Sequence, residues 1–165
     1  MMRLFALMLM PWLLLPGCSS SETTPRHSEV LSIGVSVGAD VNPDGKGEPH
    51  PVVLRIYQLS ETGIFEGTQF IDLYKKDRQM LGGSMVDVVN LEPLQPGISQ
   101  QVDIDLQYQT RYLAVLAEFA EYSNANTKAL IKLSEDPLAQ SMSIHVSGQQ
   151  VSISQQEIKS WWQIY

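Results

Sequence analysis

A chain of 165 residues, 44% of them hydrophobic, can bury the core of one domain. A net charge of −7 argues against nucleic acid as a partner, because a phosphate backbone repels an acidic surface. The only cysteine is Cys18, which excludes an internal disulfide and leaves the fold to stand on packing.

The chain opens on Met1-Met2-Arg3, then an apolar stretch over 4–15, then Pro16-Gly17-Cys18. A positive start, an apolar core and a small residue describe a secretory signal. About a dozen apolar residues fall short of the roughly 18 that cross a bilayer as a helix. The ending resembles a bacterial lipobox, in which the cysteine becomes the lipidated first residue after cleavage. An ordinary buried thiol is the competing reading of Cys18. Its place at the end of the apolar stretch favours acylation. Acyl chains would anchor firmly, since each buried methylene contributes about 0.8 kcal/mol. Removal of residues 1–17 would leave 148 residues and, with Arg3 gone, a net charge of −8. That charge is repelled by anionic headgroups, so the lipid must do the anchoring.

Residues 19–28 contain Ser, Glu, Thr, Pro, Arg and His and no apolar side chain. Such a segment cannot pack, and 18–29 is expected to be a lipidated cysteine on a flexible tether. Ser19 resembles the signals that permit export to the outer membrane; an aspartate there would favour inner-membrane retention.

The ordered domain is expected over 30–155. Leu31, Ile33, Val35, Val37 and Ala39 alternate with Ser and Gly, which predicts a strand with one buried face. The small residues on its other face predict that something approaches closely. Residues 40–51 then hold three prolines and two glycines in twelve positions, a loop longer than a hairpin needs. Val52-Val53-Leu54-Arg55-Ile56-Tyr57-Gln58-Leu59 reads as the next strand. A helix is predicted over 68–81, capped by Thr68 and ended by Gly82-Gly83, covering one end of the sheets. Residues 85–91 read as a short strand. Val102, Ile104 and Leu106 alternate with Asp103 and Asp105, which places both carboxylates on the solvent side. Residues 113–119 are almost continuously apolar, as in a central strand buried on both faces. Residues 129–133 read as a further strand, and 142–146 with 151–153 as a hairpin with a polar outer face. Residues 156–165 form an aromatic tail containing Trp161, Trp162 and Tyr165. The tail either packs on the domain or touches headgroups or a neighbouring subunit.

About seven or eight short strands, with one helical insertion and no βαβ rhythm, predict a mainly β fold: a two-sheet sandwich. His27, His50 and His145 are scattered, and with no second cysteine no metal or other cofactor is expected beyond a covalent lipid on Cys18. No phosphate loop, nucleophile elbow or Cys–His pairing is present, so no enzyme is expected.

Several stretches together resemble one family. They are Asn42-Pro43-Asp44-Gly45 before Pro51-Val52-Val53-Leu54-Arg55-Ile56-Tyr57-Gln58-Leu59; then Phe65, Phe70, Leu73-Tyr74 and Leu81-Gly82; then Leu94-Gln95-Pro96-Gly97; and Thr110-Arg111-Tyr112-Leu113-Ala114-Val115-Leu116-Ala117-Glu118-Phe119. Behind a lipobox, their order and spacing are similar to the TssJ family of type VI secretion lipoproteins. Gly82-Gly83-Ser84-Met85 and Tyr122 depart from its pattern. The resemblance implies a transthyretin-like sandwich with an extra helical piece, on the inner leaflet of the outer membrane. It implies binding to the periplasmic C-terminal region of TssM, an inner-membrane protein, through the first inter-strand loop. On that reading Asp40, Val41, Asn42, Pro43, Asp44, Gly45, Lys46 and Gly47 are the contact residues. Asn42, Asp44 and Lys46 would supply polar specificity, and Val41 and Pro43 apolar contact. No small-molecule substrate is expected. A sugar- or peptide-binding lipoprotein is the alternative, and the scatter of Tyr57, Tyr74, Tyr108, Tyr112 and Tyr122 argues against it. A transthyretin-like hydrolase ranks third.

Overall fold

The computed structural model describes residues 28–158. Cys18, the signal segment and the aromatic residues from Lys159 onward lie outside them. Strand β1 (Glu29–Val37) leads to β2 (Val53–Leu59), a short helix α1 (Gly63–Gly67) and helix α2 (Phe70–Leu81). Strands β3 (Met85–Asn90), β4 (Ser99–Leu106), β5 (Tyr112–Glu118), β6 (Lys128–Lys132), β7 (Gln140–Ser147) and β8 (Gln150–Glu157) follow.

The strands form two four-stranded sheets, ordered β4-β1-β7-β8 and β3-β2-β5-β6. All pairings are antiparallel except β1 with β7. Alternation decides which face goes inside. Leu31, Ile33, Val35 and Val37 of β1 meet Leu54 and Ile56 of β2 and Leu113, Val115 and Ala117 of β5. Each fully buried aliphatic side chain here contributes about 1.5–3 kcal/mol. The expected sandwich is therefore the observed one.

A second apolar layer lies on the outer face of the β3-β2-β5-β6 sheet. Tyr57 and Leu59 of β2 and Ala114 and Leu116 of β5 pack there against Phe65, Leu73 and Leu81 of the helices. This layer is why β5 is apolar on both faces. It also corrects the expectation that the helix covers one end of the sheets. Thr68 is not the helix cap either. It closes α1, with its N–H and its hydroxyl both donating to Ile64 O, at 2.9 and 2.6 Å. Gln69 precedes α2, and its side chain makes no capping bond. Gly82 does end α2, at φ +50° and ψ −127°, a positive-φ conformation open to glycine and disfavoured for other residues.

Two polar anchors hold the helices down. Arg55 bonds Glu118 at 2.6 Å and Asp77 at 3.2 Å, and Tyr57 donates to the same Asp77 oxygen at 3.0 Å. Burial lowers the Arg55 pKa, but the charge and hydrogen bond of Glu118, with Tyr57 and Asp77, together outweigh it and the net direction is upward. Burial also pushes the Tyr57 phenol up, and the Asp77 charge adds to it. Lys128 Nζ reaches across from β6 to the carbonyls of Phe65, Glu66 and Thr68 at 2.8–3.0 Å, closing the C-terminal end of α1.

The outer face of the other sheet is different. Ser32, Ser36, Asp103, Asp105, Ser143 and His145 are exposed on it. Among the described residues nothing covers this face, and the close approach expected there is met at Gly38, against the side chains of Asp40 and Ser147. β8 runs to Glu157, so the first residues of the predicted tail continue a strand.

Strand direction sorts the connections into two ends. At one end lie the β1–β2 loop (38–52), the β5–β6 loop and the Gly148-Gln149 turn between β7 and β8. At the other lie Ser28, the 107–111 turn, residues 133–139 and Ile158.

Candidate functional site

The β1–β2 loop crosses from one sheet to the other, so it is not a hairpin loop. Its base is bound to the Gly148 turn. Gly38 N–H donates to Val146 O at 2.7 Å and Asn42 N–H to Gly148 O at 2.7 Å. The Asp40 carboxylate takes the Ser147 hydroxyl at 3.0 and 3.2 Å, and this bond, with the Gly148 amide, holds its pKa below the usual carboxylate value. Gly38 permits that approach, because a Cβ there would lie 2.5 Å from Asp40 Oδ1.

Asn42 ties three segments together. It sits at φ +49°, a region Asn tolerates better than most side chains. Its Nδ2 donates to Pro51 O at 2.8 Å, and its Oδ1 accepts from Ala120 N–H at 2.8 Å. Val41 is fully buried in the sandwich core. These positions correct the sequence reading of the loop. Val41 and Asn42 face inward, so neither offers a surface to a partner; they hold the loop.

The tip is built on Asp44. Its Oδ1 accepts from the backbone N–H of Lys46 at 2.8 Å and of Glu48 at 2.9 Å. His50 Nε2 lies 3.7 Å from its other oxygen. The two amides, Glu48 first, hold the Asp44 carboxyl below its ordinary pKa. Asp44 and Asp40 thus spend their carboxylates on the chain itself. Pro43 is half-buried, while Gly45, Lys46 and Gly47 are exposed at the crest, together with Glu48 and Pro49.

Beside the loop lies a recess of about 330 Å³ that the sequence reading missed. Phe70 stacks on Tyr122 with ring centroids 4.6 Å apart and on Tyr74 at 5.8 Å. Tyr74 and Tyr122 are 44% and 41% exposed, so the group is half-wet. The tyrosines read as scattered include two that α2 and the β5–β6 loop bring together. The Arg55 guanidinium sits 5.4 Å from the Tyr74 ring centroid and props it. An arginine in the middle of an apolar strand was the available signal. It needs acids from elsewhere, and Asp77 on α2 is one of them.

Comparison with known proteins decides the family. The family described as "Type VI secretion lipoprotein, VasD, EvfM, TssJ" matches residues 29–149. This chain belongs to that family. The match begins with β1 and ends in the β7–β8 turn, so it includes the loop, the helices and the recess. Among solved structures, the chain is similar to the T6SS lipoprotein TssJ1 of Pseudomonas aeruginosa, at 22% identity and a TM-score of 0.72, covering 79% of this chain and 98% of that one. It is similar to a chain of a structure described as a type VI membrane complex, at 26% identity and a TM-score of 0.68, covering 76% and 97%. It is also similar to a chain of a structure described as the TssM C-terminal domain (869-1107) from EAEC, at 24% identity and a TM-score of 0.61, covering 76% and 97%. Among curated proteins none matches the sequence. The type VI lipoprotein fold thus accounts for both sheets and the helical layer. Among the described residues no helix is long and apolar enough to cross a membrane, and no group of three acidic, His or Cys side chains is placed to hold a metal.

Proposed function

We propose that this type VI lipoprotein is held to the periplasmic face of the outer membrane by acyl chains on Cys18, and that it docks the periplasmic C-terminal region of TssM with the loop end of its sandwich. It works as a fixed adaptor and carries out no chemistry. One observation carries the reading: the crest Gly45-Lys46-Gly47 stands exposed on a loop whose base and tip are both hydrogen-bonded into place. A preorganised loop loses little conformational freedom on binding. The aromatic recess beside it supplies apolar area in place of Val41, with exposed tyrosines of the kind that anchor interfaces. Likeness to chains of structures described by a type VI membrane complex and by TssM supports the choice of partner.

The test is titration of the TssM periplasmic region against the full chain and two variants, Lys46→Glu and Tyr122→Ser. Both side chains lie outside the main core, so melting should hold. Affinity is expected to fall about tenfold for each. Wild-type affinity in both folded variants would overturn the docking surface.

A further inference from the structure

The aromatic recess beside the loop has a charged wall that the fold leaves partly unfilled. Period two along β5 puts Ala114, Leu116 and Glu118 on its outer face, so the strand ends on a carboxylate beside the helical layer. Glu118 lines the recess together with Phe70, Tyr74 and Tyr122. Its side chain is only 16% exposed. Arg55 brings Nε and Nη2 to one oxygen, Oε1, each at 2.6 Å. Oε2 accepts no hydrogen bond among the described residues.

The charges around Arg55 do not balance. One guanidinium serves two carboxylates, Glu118 and Asp77, and no other side-chain cation among the described residues pairs with either. The two acids are not equally supplied. Asp77 Oδ2 also takes the Tyr57 hydroxyl at 3.0 Å, and Oδ1 takes the Arg78 N–H at 2.7 Å. Glu118 has Arg55 alone. One negative charge is therefore in surplus, largely withdrawn from water, and the unfilled acceptor belongs to the residue that lines the recess. Such a charge attracts a cation more strongly than one in open solvent does. The aromatic walls suit the same guest. Tyr74 and Tyr122 are partly exposed, and the face of such a ring attracts a cation. Arg55 already makes one contact of this kind, with Tyr74. At this end of the sandwich Asp40, Asp44, Glu48 and Glu121 outnumber Lys46 and Lys128, and Lys128 is bonded to three carbonyls.

We propose that the recess receives an arginine side chain of the docked partner, its guanidinium bonded to Glu118 Oε2 and laid against the ring of Tyr122. The proposal rests on the docking of TssM at this end. A guanidinium fits because its plane stacks on a ring while its edge donates to a carboxylate. The crest then sets where the partner sits, and the recess sets which side chain it must bring. A neutral or acidic residue in that place would leave the Glu118 charge uncompensated, which makes the recess a filter against wrong partners.

The test titrates the TssM periplasmic region against the full chain and its recess variants, with Lys46→Glu as the measure of docking itself. Tyr122→Leu keeps an apolar side chain and removes the ring, so affinity should fall about tenfold; Tyr122→Phe returns the ring and should recover most of the loss. Glu118→Gln keeps an oxygen for Arg55 and removes the charge. It should also bind about tenfold more weakly, with a flatter dependence on salt. On the partner, exchange of its arginines for methionine one at a time should find one whose loss is not additive with Tyr122→Leu. Wild-type affinity in Tyr122→Leu, with Lys46→Glu still weakened, would leave the docking standing and overturn the arginine. Full additivity for every exchanged arginine would overturn it as well. Should Glu118→Gln melt early, the Tyr122 pair and the partner exchanges still decide, because Tyr122 lies outside the core. Wild-type affinity in Lys46→Glu and in every recess variant would bring down the docking surface and the arginine together.

Discussion

Asn42 shows most clearly how a residue's role depends on places far away in the chain. Its partners are Pro51, Ala120 and Gly148, and no local pattern announces that they meet. Asn42→Ala should destabilise the protein by about 2–3 kcal/mol, from two orphaned backbone groups and a side chain forced into φ > 0. Asn42→Gly should recover about 1 kcal/mol of that, since glycine removes the strain. Denaturant melts check both. Asp44 gives a pH prediction. Its folded pKa lies below the ordinary 3.8, so the order it imposes on the tip is complete above that value. It is lost as pH falls through the folded pKa. The amide signals of Lys46 and Glu48 should hold steady down to the carboxylate range and shift only below it. A shift centred well above pH 4 would mean that Asp44 does not organise the tip.

At the scale of elements, the strands were legible because one buried face imposes period two. The inner positions of β1, β4, β7 and β8 follow it almost without exception. Helix α1 was not legible, since five residues are too few to show a period, and Thr68 was misread because threonine bonds backward to a carbonyl as readily as forward to an amide. The site of the helices had a signal that went unused. β2 and β5 carry apolar residues on both faces, so something had to cover the second one. The helical layer is held by Arg55 and Lys128, and each can be tested. Arg55→Ala should cost about 2–4 kcal/mol, because it leaves Glu118 and Asp77 without their cation and mostly buried, Asp77 keeping only the Tyr57 hydroxyl. Lys128→Met keeps the stem and loses three bonds to carbonyls that water can partly reach, so about 1–2 kcal/mol is expected. Under the sandwich itself, Ile56→Ala and Val115→Ala should each cost about 2–4 kcal/mol, from lost burial plus a cavity. Unchanged melting curves for that pair would mean the inner faces are misassigned.

The whole molecule explains why the loop was only half readable. Excess length was one sign of function, yet part of that length is the crossing between sheets about 10 Å apart. What remains beyond the crossing is the crest at 45–49, which the Asp44 turn holds clear of the domain. The sandwich thus has Ser28 and Ile158 at one end and the crest and recess toward the other. On this account Cys18→Ser releases a folded protein from the membrane, because residues 19–28 carry no apolar side chain to pack; fractionation and a melt check it together. The central claim is that the loop end receives TssM. Amide hydrogen exchange of the acylated, membrane-bound chain, with and without the TssM periplasmic region, tests it most directly. The account predicts slowed exchange over 44–50 and 120–124, and none at 107–111 or on the serine-lined outer face. Protection at the Tyr108 end or on that face, with the loop unchanged, would contradict it.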